Sequence, residues 1–294
     1  MAGCDLLNPE TTEPVVYKGE DGQGGEGEGG GGEVVEGVAQ PKGAVKTIES
    51  VFYEENSHDK MWGRTLMTII YDAQGRPSRE DYMYYGYSNG VLQTTRKGNS
   101  FYYLFSDGKM ELRSGKSTDD VVGKSILNSD GLVVSTEEGY IKNGSWVSNG
   151  TRQFSYTDGK CTALTDPRES FTYTWRSDGA LDRALDKKTT DIDESGTQSY
   201  IYDGTVNPSY GHAYDVSGII FSKVGEMGGY RFNGKGSSLL PKSANTLYRN
   251  EARVFSYVIT NGKVTKITEQ FWPFADSPGV KNVKYYDYLI TYYE

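Results

Sequence analysis

Long hydrophobic runs are missing from this 294-residue chain. No window approaches the roughly 18 apolar residues that a membrane-crossing helix needs. Cysteine is nearly absent as well. Cys4 and Cys161 are the two present, so at most one disulfide can form, and no CxxC metal or redox motif exists. Histidine is equally sparse: His58 and His212 stand in no HExxH-type spacing and read as loop residues rather than as ligands or bases. Basic runs are absent, and 31 basic against 40 acidic side chains leave a net charge of −9. That balance excludes a nucleic-acid partner, because phosphate binding needs clustered Lys and Arg. No GxSxG elbow occurs, and the GKGSS run at 234–238 lacks the spacing of a phosphate-binding loop. These absences assign no catalytic residue, no cofactor and no metal. The reading is of a non-enzyme, with a carboxylate-based hydrolase of the glycosidase kind left open, since two facing carboxyls can come from any points in a chain.

What is present is aromatic and alternating. Tyrosine alone contributes 24 residues, and Tyr and Phe suit the half-buried face of a sheet. In FTYTWRSDG, Phe171, Tyr173 and Trp175 share one face of a strand and Thr172, Thr174 and Arg176 the other. Ten Asp-Gly or Asn-Gly dipeptides punctuate such runs, among them Asn89-Gly90, Asp158-Gly159 and Asn261-Gly262. They tolerate positive φ and fit tight hairpin turns. The sequons at Asn143 and Asn149 are read as such turns rather than as glycosylation sites. Helical patterning is scarce, and SANTLYRNEA (243–252) is the best candidate for one helical turn. The closing segment KNVKYYDYLITYYE is apolar on both faces, which predicts a strand that completes the sheet. The fold class expected is all-β: an antiparallel, hairpin-rich barrel or strongly curved sheet.

The N-terminus is of another kind. Ala2-Gly3-Cys4 resembles the last three positions of a bacterial lipoprotein box, whose cysteine is acylated. The segment 19–37, GEDGQGGEGEGGGGEVVEG, holds ten glycines and six acidic residues and can bury no core. The division expected is therefore a lipobox remnant and Gly/Glu-rich tether over 1–45, then one antiparallel β domain over 46–294. Lipidation is assigned to Cys4, with the membrane as partner through that acyl anchor.

Phe232 to Phe271, FNGKGSSLLPKSANTLYRNEARVFSYVITNGKVTKITEQF, goes beyond generic hairpins. With its Leu240-Pro241-Lys242-Ser243 element, and a shorter echo at YTDGKCTALTD, it resembles secreted lipoproteins of gut bacteria, an uncharacterised family with a porin-like antiparallel β fold and a lipid-binding description. The resemblance implies an outer-membrane, lipid-anchored protein and transfers no catalytic residue. A membrane-spanning barrel needs strands of about 9–11 residues with an apolar outer band. The runs here read as shorter and polar on one side, so a water-soluble barrel is expected. The aromatics Tyr173, Trp175, Tyr230 and Phe232 are the candidate ligand-binding residues. The ligand is a small amphiphile or apolar molecule in the β interior, or alternatively a surface glycan.

Overall fold

A computed structural model of the chain describes residues 38–115, 120–167, 169–188, 196–221, 230–246, 251–273 and 282–294. Cys4 and the Gly/Glu-rich segment lie outside the described residues. The strands are β1 (Val45–Tyr53), β2 (Met61–Tyr71), β3 (Pro77–Ser88), β4 (Val91–Lys97), β5 (Ser100–Ser106), β6 (Lys109–Gly115), β7 (Val121–Leu127), β8 (Val133–Lys142) and β9 (Ser145–Thr157). They continue with β10 (Lys160–Thr165), β11 (Glu169–Trp175), β12 (Leu181–Lys188), β13 (Gly196–Ile201), β14 (Ser243–Thr246), β15 (Glu251–Thr260), β16 (Lys263–Trp272) and β17 (Lys284–Tyr292). Among the described residues between β13 and β14 lie a short α-helix, α1 (Ser217–Phe221), and a 3-10 turn over Arg231–Asn233.

Apart from β4 and β5, which both pair with β3, each strand pairs antiparallel with the next, and β1 pairs with both β2 and β17. The sheet therefore closes on itself. The tyrosine-rich C-terminal strand makes the closure, as its two-sided apolar character leads one to expect. Seventeen strands fill sixteen positions, because β4 and β5 are two parts of one. Both lie against β3, β4 at Met83–Ser88 and β5 at Arg79 and Glu80. The break between them is Gly98, whose N–H still donates to the Tyr82 carbonyl at 2.8 Å. A Cβ at Gly98 would lie 2.5 Å from the Tyr84 ring and 2.8 Å from Tyr82 Cβ, so glycine is what lets that ring lie across the wall.

Seven of the ten Gly dipeptides join hairpins. At Asn89, Asn143, Asp158 and Asn261 the first residue also has positive φ, as the tightest two-residue turns require. Asn149-Gly150 instead falls inside β9 as a bulge against β8. Asp203-Gly204 and Asn233-Gly234 belong to a long excursion between β13 and β14, described over residues 202–221 and 230–242. Two expectations are corrected. Of residues 243–252, those described, Ser243–Thr246 and Glu251–Ala252, are strand, not helix, because β13 offers Ser243–Thr246 an open edge that pairs all four residues. And several strands are longer than expected, 11 residues in β2, 12 in β3 and 13 in β9, because pairing runs on through bulges that interrupt the alternation.

Side chains alternate inward and outward. Inward faces hold the core: Ile69, Leu164, Tyr173, Tyr200, Phe255, Ile267, Tyr288 and Ile290 are all buried. The outer wall carries ion pairs, including Arg64–Glu49 at 2.9 Å, Arg79–Asp81 at 2.9 Å, Arg113–Glu111 at 2.8 Å and Lys266–Asp287 at 2.9 Å. The excursion supplies much of the filling. All five residues of α1 are buried, and the Phe221 ring meets Tyr200 of the wall edge-on at 5.0 Å. The same segment stitches itself to the turns at the end where the chain enters the barrel. Lys235 N–H donates to the Gly159 carbonyl at 2.7 Å and Ser238 N–H to that of Gly179 at 3.3 Å. This is the near end; the opposite one is the far end.

Candidate functional site

Strand register places the inner face of β17, β1, β2, β3 and β4 in successive rows. Nearest the far end run Tyr286, Phe52, Gly63, Gly86 and Thr94. Below them run Tyr288, Ser50, Thr65, Tyr84 and Arg96, and below those Ile290, Ile48, Met67 and Tyr82. The top row pairs two adjacent glycines, and the second carries Ser50 and Thr65, so the wall is bare there. Rings frame the bare area. Phe52 stands 5.4 Å from Trp62 and 6.0 Å from Tyr286, centroid to centroid. Trp62 is the extra residue of a bulge, since Phe52 pairs with Gly63 and Tyr53 with Met61. It is 54% exposed, and Tyr84 on the other flank is 37% exposed. Large rings left open beside small residues are the usual ingredients of an apolar binding surface.

From this mouth a ladder descends the inner face of β3. The Arg96 guanidinium lies 5.2 Å from the Tyr84 ring centre. Tyr84 stacks near-parallel on Tyr82 at 6.4 Å. The Tyr82 hydroxyl donates to Glu80 Oε2 at 2.7 Å, and that of Tyr103 to Oε1 at 3.0 Å. The Tyr230 hydroxyl, brought in by the excursion, also donates to Oε1. Burial pushes the Glu80 carboxyl above its ordinary range, and the tyrosine hydrogen bonds only partly oppose this. Three phenols thus satisfy one buried acid in the core.

The four aromatics selected from the sequence fall into two pairs. Tyr230 and Phe232 stack on each other at 5.2 Å. Around them pack Tyr103, at 5.5 Å from each, Tyr214 and Phe105. Tyr173 and Trp175 lie on β11. Tyr173 is buried and stacks on Phe171, while Trp175 donates its ring N–H to the Cys161 carbonyl at 2.7 Å under the Lys160 ammonium. The exposed rings, Trp62 and Tyr84, do not stand out in the sequence. Tyr84 stands in an alternating run that could have drawn attention; Trp62 depends on a bulge, for which MWGR gives no signal beyond its glycine.

Other polar groups have structural partners. Asp215 on the excursion is buried, its Oδ1 accepting from Asn207 and from the Ser217 N–H and hydroxyl. Burial raises its carboxyl above the ordinary range. On the outer wall, Asp287 accepts from Tyr53, Thr268, Lys266 and His58. Burial there pushes its carboxyl up, but the bonds from Thr268, Lys266 and Tyr53 outweigh it and hold the group below the ordinary range. His58 thus sits in the β1–β2 loop against Asp287, and His212 is exposed on the excursion. Cys161 is buried and its thiol pushed up to about 12 by desolvation, which suits a packing role. Glu138 and Asp166 flank Arg152 at 3.1 and 3.5 Å in a cleft of about 130 Å³. Among the described residues no cluster of three or more potential metal ligands occurs.

The molecule is a closed antiparallel β-barrel whose near end is filled and stitched by a segment of its own chain. Its fold is similar to that of a porin-like protein from Bacteroides uniformis, with 14% identity and a TM-score of 0.63 over 86% of this chain and 100% of that one. A porin-like protein from Bacteroides vulgatus is 10% identical, with a TM-score of 0.47 over 85% of this chain and 98% of the other. No family profile and no curated protein matches the sequence.

Proposed function

We propose that the chain is a lipid-anchored envelope protein that holds a small amphiphilic or apolar ligand against the aromatic inner wall at the far end of its barrel. One observation carries the reading. Trp62 and Tyr84 are left exposed on inward faces beside Gly63 and Gly86, whereas the outer wall is laced with ion pairs. A barrel that faced lipid would reverse this, since Arg or Lys on the lipid face costs about 2–4 kcal/mol at the bilayer midplane. On this reading the outer wall faces water, and membrane attachment falls to an acylated Cys4, with the Gly/Glu-rich segment as a tether to the outer membrane. Glycan capture on a Trp175 platform is the weaker reading, because that ring is tied to the Cys161 carbonyl. In this reading the protein binds rather than catalyses.

Native mass spectrometry and solvent extraction of the purified barrel test the ligand reading. A co-purifying amphiphile, or saturable uptake of a decyl-chain probe that Trp62→Ala weakens, is the expected result. Absence of both overturns it. Acyl-chain labelling of cells expressing the protein with a lipoprotein signal tests the anchor: label on Cys4 is expected, and membrane retention of Cys4→Ala defeats it.

A further inference from the structure

We infer that the ligand carries an anionic head group, a carboxylate or a phosphate, and that Arg96 receives it. The inference rests on the amphiphile reading above and adds the chemistry of the polar end. Arg96 lies in the second inner row, directly beside Tyr84 and one row below the paired glycines Gly63 and Gly86. Its strand β4 is exposed along its whole length, so the guanidinium is reached from solvent. Arg152 and Arg253 also turn inward, and both are neutralised: Arg152 by Glu138 and Asp166, Arg253 by Glu269. Among the described residues Arg96 has no carboxylate partner, and its guanidinium rests on the face of the Tyr84 ring.

A guanidinium on a ring face keeps its N–H fork turned outward and available for two parallel bonds to a carboxylate or phosphate. The ring beneath holds it in place without neutralising its charge. Next to it the wall is bare over the two glycines and bounded by Phe52, Trp62 and Tyr286. A single alkyl chain lying over the glycines would meet those rings on one side while its head met Arg96 on the other. A neutral or cationic head would gain nothing there.

Binding of four decyl-chain probes, each below its micelle concentration, to the purified full-length chain decides the matter. Decanoate and decyl phosphate are compared with neutral decyl maltoside and cationic decyltrimethylammonium, read by tryptophan fluorescence. The anionic probes are expected to bind on the order of tenfold more tightly than the neutral one. Arg96→Gln should remove that preference and leave decyl maltoside binding unchanged, and Arg96→Lys should restore part of it. Decanoate against decyl phosphate identifies which head group fits better. Equal affinity for all heads, or a preference that survives in Arg96→Gln, overturns the role of Arg96 while leaving the amphiphile reading intact. Failure of every probe to bind overturns both.

Discussion

Tyr230 donates its hydroxyl to Glu80, 150 positions earlier in the chain. The two residues come from a wall strand and from the excursion that fills the near end. Their contact fixes the depth to which that segment enters, and it does so inside an aromatic cluster where an unpaired carboxylate would be costly.

Removing the hydroxyl should therefore be felt. Tyr230→Phe keeps the ring stack on Phe232 and deletes one donor to a buried acid. Urea denaturation should show a loss of about 1–3 kcal/mol. Tyr140→Phe, at a 45% exposed ring, should change stability by less than about 0.5 kcal/mol. Equal effects would mean that the Glu80 contact does not anchor the segment.

The raised Glu80 carboxyl has a pH signature. Its folded-state value lies above the ordinary 4.5, so its contribution to stability is fully present below that range and lost as pH rises through the raised value. Glu80→Gln keeps an acceptor for the tyrosines and carries no charge. Melting curves of the variant should lack the decline that the parent shows on raising the pH above 4.5. Superimposable pH profiles would refute the assignment.

Asp287 behaves with the opposite sign. Its carboxyl is held below 3.8, so its contribution is present above that value and lost as pH falls through the lowered one. Asp287→Asn should reduce stability at neutral pH and blunt further loss on strong acidification. The reading is checked by comparing acid midpoints with those of Thr268→Val, which removes one of its donors.

Filling the bare wall should block the ligand. At Gly63 a Cβ would meet Phe52 at 3.6 Å and the Tyr85 carbonyl at 3.7 Å, ordinary contact distances, so a larger side chain can enter. Gly63→Leu should weaken decyl-probe binding on the order of tenfold, with circular dichroism unchanged. Unaltered binding would move the ligand elsewhere in the barrel.

The Cys161 thiol, buried and pushed up to about 12, should resist maleimide in a Cys4→Ala background until the protein is unfolded. Rapid labelling of the native protein would contradict its place in the core.

The strand pattern is legible in the local alternation of residues. Phe171, Thr172, Tyr173 and Thr174 alternate buried and exposed just as FTYTWRSDG suggests, and the chain's last strand closes the ring. The turns are legible wherever Asn-Gly or Asp-Gly must supply positive φ between two paired strands. Asn149-Gly150 shows the limit: the same dipeptide becomes a bulge when the strand has partners to continue along.

The site is less legible. Tyr230 and Phe232 stand out for their chemistry, yet their setting depends on Tyr103, Phe105 and Glu80, which only barrel closure brings to them. Side-chain alternation is a local property with a period of two, so the sequence by itself determined strands, faces and most turns. Which faces look across the same interior, which rings stay exposed, and that α1 and the Tyr230–Phe232 pair turn back into the barrel are set by register and closure. Those are pairings between distant strands, and no local pattern encodes them.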